Sequence, residues 1–305
     1  MPMDDLLKEI LLINSVSGDE SRISDCLINH IVKRRSSWNV SPKIFFGDEF
    51  HENILLVFGN PQTAAFAHMD TVGFTSRYEN QLVPVGGPEV IPGTWLQGED
   101  AVGAIRCRIQ EQQGNVYHDF PRAIQRGTLL SFEQDIRMAA GTIEAAYLDN
   151  RLGLYALLKL CETLENGIVA FTTYEEHGGG SMPFLIRFIY ENWAIKQALI
   201  ADVTWVTDGV HLHQGAVVSL RDSFIPRKTF LNKIIRLAEE SEVPYQLEVE
   251  AAGGSDGREI QMSPYPIDWC FIGIGEENPH TPSEKASFFD LDCMIKLYQY
   301  LMQNL

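Results

Sequence analysis

His68 ends an apolar run, Ala64-Ala65-Phe66-Ala67, with Asp70 two residues on and Gly73 closing the segment. A metal-bound imidazole needs an acceptor that orients its ring, or a carboxylate close by that raises its basicity. Asp149 follows Glu144-Ala145-Ala146-Tyr147-Leu148, Glu175 and Glu176 follow Ile168–Tyr174, and Asp202 follows Ala198–Ala201. His280 follows Trp269–Gly273 after a short loop. Each has a plainer reading. Asp149 could cap a helix, the two glutamates could be a solvated strand end, Asp202 could start a turn, and His280 could lie in an exposed loop between prolines. The repetition argues against coincidence, because an ionisable group stands at the exit of strand after strand. Open α/β sheets build their sites outside the carboxyl ends of the strands. Two imidazoles and three carboxylates there would suit two divalent, zinc-like ions sharing one carboxylate. The remaining glutamate of the 175–176 pair would then be a general base.

The elements that position these groups are legible. Leu154, Leu157, Leu158, Cys161 and Leu164 recur at helical spacing. Phe184–Trp193, Phe230–Glu240 and Leu291–Met302 also read as helices. Gly167–Tyr174, Gln197–Ala201 and Trp269–Gly273 read as strands. The alternation predicts an α/β fold, a mixed β-sheet sandwiched by helices. Residues 74–141 differ. They hold the turns Gly86-Gly87-Pro88 and Pro92-Gly93 and short β-like runs, Ala104–Ile109 and Thr128–Phe132. We expect a small inserted β domain there, with residues 1–73 and 142–305 forming the α/β domain.

The chain has 305 residues, 45% of them apolar, enough for a sizeable core. The net charge of −17 argues against nucleic-acid or anionic-membrane partners. The start is acidic, and the short apolar run after it is broken by Lys8 and Glu9, so it does not read as a signal peptide. No run of 18 uncharged apolar residues predicts a membrane span. Five scattered cysteines without a CxxC pair predict free, buried thiols and a cytoplasmic protein.

His68-Met69-Asp70-Thr71-Val72-Gly73, Asp149-Asn150-Arg151, Glu175-Glu176-His177-Gly178, Asp202-Val203-Thr204, Gly253-Gly254-Ser255-Asp256 and His280-Thr281-Pro282 stand in this order. Together they resemble the motifs of the glutamyl/deblocking aminopeptidases, dinuclear zinc exopeptidases that include the tetrahedral aminopeptidases. The resemblance runs from about Leu6 to the C-terminus. It implies a zinc exopeptidase-like fold with a barrel-like β insert. It also implies removal of N-terminal residues from short peptides with a free N-terminus, and homo-oligomeric assembly. It implies two divalent ions per chain, zinc foremost, with cobalt or manganese as alternatives. By resemblance His68 and Asp202 hold one ion, Glu176 and His280 the other, and Asp149 bridges them. Glu175 is then the general base, and Asp70 supports His68. The chain departs from the pattern at Thr71, where a glutamate is usual, at His177, where a valine is usual, and in a shortened insert.

Four other readings compete. Gly253-Gly254-Ser255-Asp256-Gly257 matches G-x-S-x-G, the nucleophile turn of serine hydrolases, and His177-Gly178-Gly179-Gly180 resembles an oxyanion loop. Only Arg258–Met262 follow Ser255 before a proline-rich turn, which predicts no firm helix there. The glycines are expected instead to let the backbone approach the metal site. A non-catalytic protein could keep the fold, but all the ligand positions are filled with suitable chemistry. A two-metal site could also cleave another amide, such as an N-acyl group. His211 and His213 could pair on one face of a strand, but without evident carboxylate partners they read as loop residues.

Overall fold

Strands that are apolar at every position must be covered on both faces. The computed structural model, which describes residues 3–305, builds its central sheet that way. Two helices, α1 (Asp5–Leu11) and α2 (Ser21–Arg34), precede the strands β1 (Lys43–Phe45), β2 (Ile54–Phe58) and β3 (Ala64–His68). Six strands follow: β4 (Gly73–Ser76), β5 (Gln81–Val85), β6 (Trp95–Asp100), β7 (Gly103–Gln112), β8 (Asn115–His118) and β9 (Leu129–Phe132). Next come β10 (Arg137–Ala139), β11 (Thr142–Ala145), α3 (Leu148–Cys161), β12 (Gly167–Thr172), α4 (Met182–Trp193) and β13 (Gln197–Trp205). The chain ends with β14 (Ala216–Arg221), α5 (Lys228–Glu240), β15 (Tyr245–Val249), α6 (Gly257–Met262), β16 (Asp268–Glu277), β17 (Glu284–Ser287) and α7 (Phe288–Asn304).

The large sheet runs β1-β2-β12-β3-β13-β16-β17-β11-β10, with β14 joined to β16 and β15 to β14. Neighbours among β12, β3, β13 and β16 are parallel, so the carboxyl ends of these strands share one edge. Alternate residues divide between two cores. Ala65, Ala67, Val169, Phe171, Leu199 and Ala201 pack under α1, α2, α3, α5 and α7. Ala64, Phe66, Ile168, Ala170, Ala198 and Ile200 pack under α4 and Ile260 of α6. The expected helices and strands are present, some with wider bounds. The strand at Gln197 continues to Trp205 and that at Trp269 to Glu277. All five cysteines are free thiols, and four are buried.

Strands β4–β9 close into an antiparallel barrel in the order β4-β5-β8-β7-β6-β9. Strict alternation on β7 turns Ile105, Cys107 and Ile109 inward against Phe74, Leu96, Leu130 and Phe132. Closure leaves the barrel without a free edge. Its strands begin at Gly73, while β10 already hydrogen-bonds to β11 within the large sheet. The chain thus regains the large sheet at Arg137, before the expected Thr142. The low periodicity of the three-residue β10 hid this return.

Candidate active site

The shared edge of the parallel strands gathers the groups that the sequence singled out. His68, the last residue of β3, is 2% exposed. Its Nδ1 lies 3.2 Å from the Asp70 carbonyl oxygen. An Nδ1–H donated there leaves the Nε2 lone pair free. Nε2 is 3.1 Å from Asp149 Oδ1 and 3.5 Å from Asp202 Oδ2. Asp202 projects from β13, opposite Gly273 of β16 in the ladder. Its Oδ2 accepts the Ser255 hydroxyl at 2.6 Å, and its Oδ1 accepts the Val203 amide.

Asp149 does not cap α3. Asp149 and Asn150 have non-helical backbone angles that kink α3 near its start, and the regular helix beyond the kink is capped by Asn150, whose Oδ1 accepts the Gly153 amide at 2.9 Å. The Asn150 amide group donates to the Ala201 carbonyl at 2.7 Å, tying this corner to β13. Asp149 is thereby free to face the cleft. Its second oxygen, Oδ2, is 3.4 Å from His280 Nε2, and that nitrogen is 3.5 Å from Glu176 Oε2. Two groups result, His68–Asp149–Asp202 and Asp149–Glu176–His280, with Asp149 common to both.

The barrel reaches this site through the turn after β5. His280 Nδ1 lies 3.0 Å from the Gly87 carbonyl, the same ring arrangement as at His68. Gly86 has a φ of +70°, and a Cβ there would stand 3.1 Å from the Glu176 carbonyl oxygen and 2.9 Å from Val72. Glycine is needed for both reasons. The Gly86 amide also donates to His177 Nδ1, so His177 links the barrel turn to the glutamate pair.

Glu175 and Glu176 lie in a turn beyond β12. Three consecutive amides of this turn are held by buried carboxylates. Tyr174 N–H donates to Glu20 Oε1 at 3.2 Å, and Glu175 and Glu176 N–H donate to Asp70 at 3.1 and 3.0 Å. Asp70 therefore orients the glutamate turn as well as standing beside His68 Nδ1 at 3.5 Å. Arg151 secures the same loop from below. It is fully buried and donates to the carbonyls of Met69 and Ile13 and to Ser15 Oγ. Thr71, where the resembled pattern has glutamate, is buried and pairs with the Ser15–Ser17 segment through its backbone.

Burial and the neighbouring negative charge push the carboxyls of Glu175 and Glu176 well above their ordinary range, and raise that of Asp202. Burial would raise Asp149 too, but hydrogen bonds from the two imidazoles outweigh it and hold Asp149 low. Burial opposes charge on His68, yet Asp202, Asp149 and Asp70 outweigh it and raise its pKa well above normal. The same contest raises His280 to about 10.

The sequence reading missed several supporting groups. Glu20 lies in a loop without periodicity. Asp256 Oδ2 accepts the Thr172 hydroxyl at 2.6 Å at the end of β12. Glu284 Oε2 accepts the Asp149 amide at 3.2 Å, with Glu276 buried beside it. The segment after Ser255 does form a helix, the six-residue α6, because Pro264 comes only after its last turn. This does not restore a serine nucleophile, since the Ser255 hydroxyl is bonded to a carboxylate and not to an imidazole. The glycines beside it serve different ends: a Cβ at Gly257 would clash with the Trp269 ring and one at Gly254 would stand 3.2 Å from Ser223 Oγ, so their close contacts are not with the metal-site groups. Space around Gly253 is open, and its need for glycine lies in a φ of +79°. His211 and His213 are exposed loop residues, with His213 Nδ1 2.9 Å from Ser287 Oγ.

The M42 glutamyl aminopeptidase family model matches residues 115–297, more than half of the chain. The chain belongs to this family. It is therefore a peptide-bond hydrolase of the aminopeptidase class, and M42 enzymes are metal-dependent. An Acetivibrio thermocellus protein named "Putative aminopeptidase" is 26% identical over 333 residues, covering 97% of each chain. Aminopeptidase APDkam598 from the archaeon Desulfurococcus kamchatkensis has a similar fold, with a TM-score of 0.86 at 20% identity, over 99% of this chain and 94% of that one. The Pyrococcus horikoshii TET1 peptidase, which can assemble into a tetrahedron or a large octahedral shell, superposes with a TM-score of 0.83 at 20% identity over 98% of each chain. Among the described residues, no helix of this M42 chain is long and apolar enough to cross a membrane.

Proposed function

We propose that this aminopeptidase works with two divalent ions, His68 and Asp202 holding one, Glu176 and His280 the other, and Asp149 bridging them. The observation that carries this reading is the divergence of the Asp149 oxygens, Oδ1 toward His68 and Oδ2 toward His280. Donor atoms at about 2.1 Å from a tetrahedral zinc ion lie roughly 3.4 Å apart. The four imidazole–carboxylate separations here are 3.1, 3.5, 3.4 and 3.5 Å. Glu176 Oε1 is buried without a hydrogen-bond partner, consistent with a ligand role for this carboxylate. The nitrogen and oxygen donors suit zinc, with cobalt and manganese as alternatives.

When bound, the ions would supply Lewis acidity toward the scissile carbonyl and acidify water enough for it to ionise near neutral pH. Glu175 is the general base. It takes the proton of the attacking water and returns it to the nitrogen of the leaving amine. Asp70 fixes the Glu175–Glu176 turn, so that one carboxylate serves the water and the other a metal. The substrates are short peptides with a free N-terminus, shortened by one residue per cycle. Residues 1–73 and 137–305 form the catalytic domain, and the barrel insert between them shapes the site through its Gly86-Gly87 turn. The shell assembly of the Pyrococcus horikoshii relative supports a homo-oligomer for this chain.

Elemental analysis with an aminoacyl-anilide panel tests the reading. We expect about two ions per chain, activity abolished by chelator, and cleavage only of substrates with a free amine. Glu175→Gln should lower kcat about 10²–10⁴-fold with metal content retained. Glu176→Gln should lower metal content. Activity that survives chelation, or preference for N-acyl substrates, would overturn it.

A further inference from the structure

The cleft holding the candidate metal ligands does not end at them. It continues along β13 past Asp202 to Val203, Thr204 and Trp205, and is walled on the far side by Asp222, Glu248 and Glu250 beyond and along β14 and β15. A second depression, sharing Glu175 and Gly254 with the first and lined also by Phe224, Ser255 and Arg258, is the more open of the two. An exopeptidase that fixes its register on a free N-terminus needs a closed end for the first side chain and an open path for the rest of the peptide. The less open lobe, beside the candidate metal ligands, is the better fit to the first requirement.

Its chemistry is one-sided. Three carboxylates line it and no lysine or arginine does. Glu248 is 3% exposed and forms no ion pair among the described residues; its Oε1 accepts the Thr204 hydroxyl. Asp222 is 8% exposed, and its Oδ1 accepts the Phe224 amide. The adjacent Arg221 forms no ion pair with them, its Nε–H donating to the backbone carbonyls of Asp222 and Glu250, and its charge offsets only part of the burial at Asp222. Burial and mutual repulsion raise the Glu248 pKa, and burial raises that of Asp222. A buried carboxylate without an ion-pair partner, as Glu248 is, is costly, and a cation delivered beside it relieves that cost. Trp205 and Phe271 supply apolar surface in the same lobe, suited to the methylene stem of a long cationic side chain. The net charge of −17 would steer cationic peptides toward the protein.

We propose that the lobe lined by Asp222, Glu248 and Glu250 receives the side chain of the substrate's N-terminal residue and selects lysine and arginine. This rests on the aminopeptidase reading above. The test is kcat/KM of the metal-loaded enzyme on lysyl-, arginyl-, leucyl- and glutamyl-anilides, with product inhibition by the free amino acids as a second readout. Lysyl and arginyl substrates should exceed leucyl by at least about tenfold and glutamyl by more, since one buried counter-charge is commonly worth that much. L-lysine should inhibit more strongly than L-leucine. Glu248→Gln should lower the lysyl-to-leucyl ratio about tenfold or more. Because Glu248 is buried, the half-buried Glu250→Gln, which should shift the ratio the same way, guards against a folding defect. Leucyl or glutamyl preference in the wild-type enzyme, or an unchanged ratio in both variants, would overturn the assignment while leaving the aminopeptidase intact. If no free-amine substrate is cleaved with metal present, both the assignment and the reading beneath it fall.

Discussion

Asp70→Asn isolates the residue that joins the two halves of the site. The wild-type carboxylate uses one oxygen for the Glu175 amide, at 3.1 Å, and the other for the Glu176 amide, at 3.0 Å. Asparagine keeps the size but has a single acceptor oxygen, so its NH₂ must face one of the two amides. One charge-assisted bond is lost, and a buried N–H is left unpaired. Asp70 is fully buried, so water cannot take its place. The combined cost is roughly 2–4 kcal/mol. The displaced turn carries Glu175 and Glu176, so the damage should reach function as well as stability. A small misplacement of a reacting group can cost about 10²-fold in rate. The assay is urea unfolding of the metal-free protein, with kcat and metal content of the loaded one. We expect a lower unfolding midpoint at unchanged slope, reduced kcat and weaker metal retention. An unaltered midpoint together with wild-type kcat would refute the claim that Asp70 positions the glutamate turn.

Two further outcomes follow from the buried charges. Burial, with the Asp70 charge adding to it, raises the Glu20 pKa to about 7 from an unfolded value near 4.5. The folded state therefore binds the Glu20 proton more tightly, and this contribution is complete below the unfolded pKa and lost as pH rises through about 7. Glu20 Oε1 accepts both the Gly18 and Tyr174 amides, a role that glutamine can keep with its one oxygen. Urea unfolding at pH 5 and pH 7.5 should show wild type losing more stability across that interval than Glu20→Gln; equal losses would refute the titration. Second, the imidazoles of His68 and His280 have raised pKa values in the metal-free protein, the latter about 10, whereas a metal ligand must be neutral. Calorimetric zinc titrations in buffers of different ionisation heat should show more than one proton released per chain at pH 7.5, with affinity falling as pH falls. Release of none would contradict the assignment of both histidines as ligands.

What was legible in the sequence was what is local. Helical spacing from Leu154 to Cys161 and apolar runs such as Ala64–Ala67 report burial over a few residues, and that suffices to place His68 and the Glu175–Glu176 turn at strand exits, whereas Asp202, expected just past its strand, lies inside β13, which runs on to Trp205. The strand-exit rule then pointed to one edge of the sheet, where the structure brings these groups together. The supports were not legible, because their meaning lies in long-range pairs. The Glu20 carboxylate meets an amide 154 positions away, the Asp70 carboxylate one 105 away, and the Gly87 carbonyl a ring 193 away. No periodicity encodes such a pair. A buried glutamate in a loop reads the same as a solvated one until the partner strand is in place. Asp149 shows the limit from the other side. As a residue before a helix it reads as a cap, and only the Asn150 bond to Gly153 shows that the cap is already supplied. The chain gives up a local stabilisation that Asp149 could provide and assigns it to the next residue. That substitution of roles leaves the Asp149 carboxylate at the one point where both histidines can reach it.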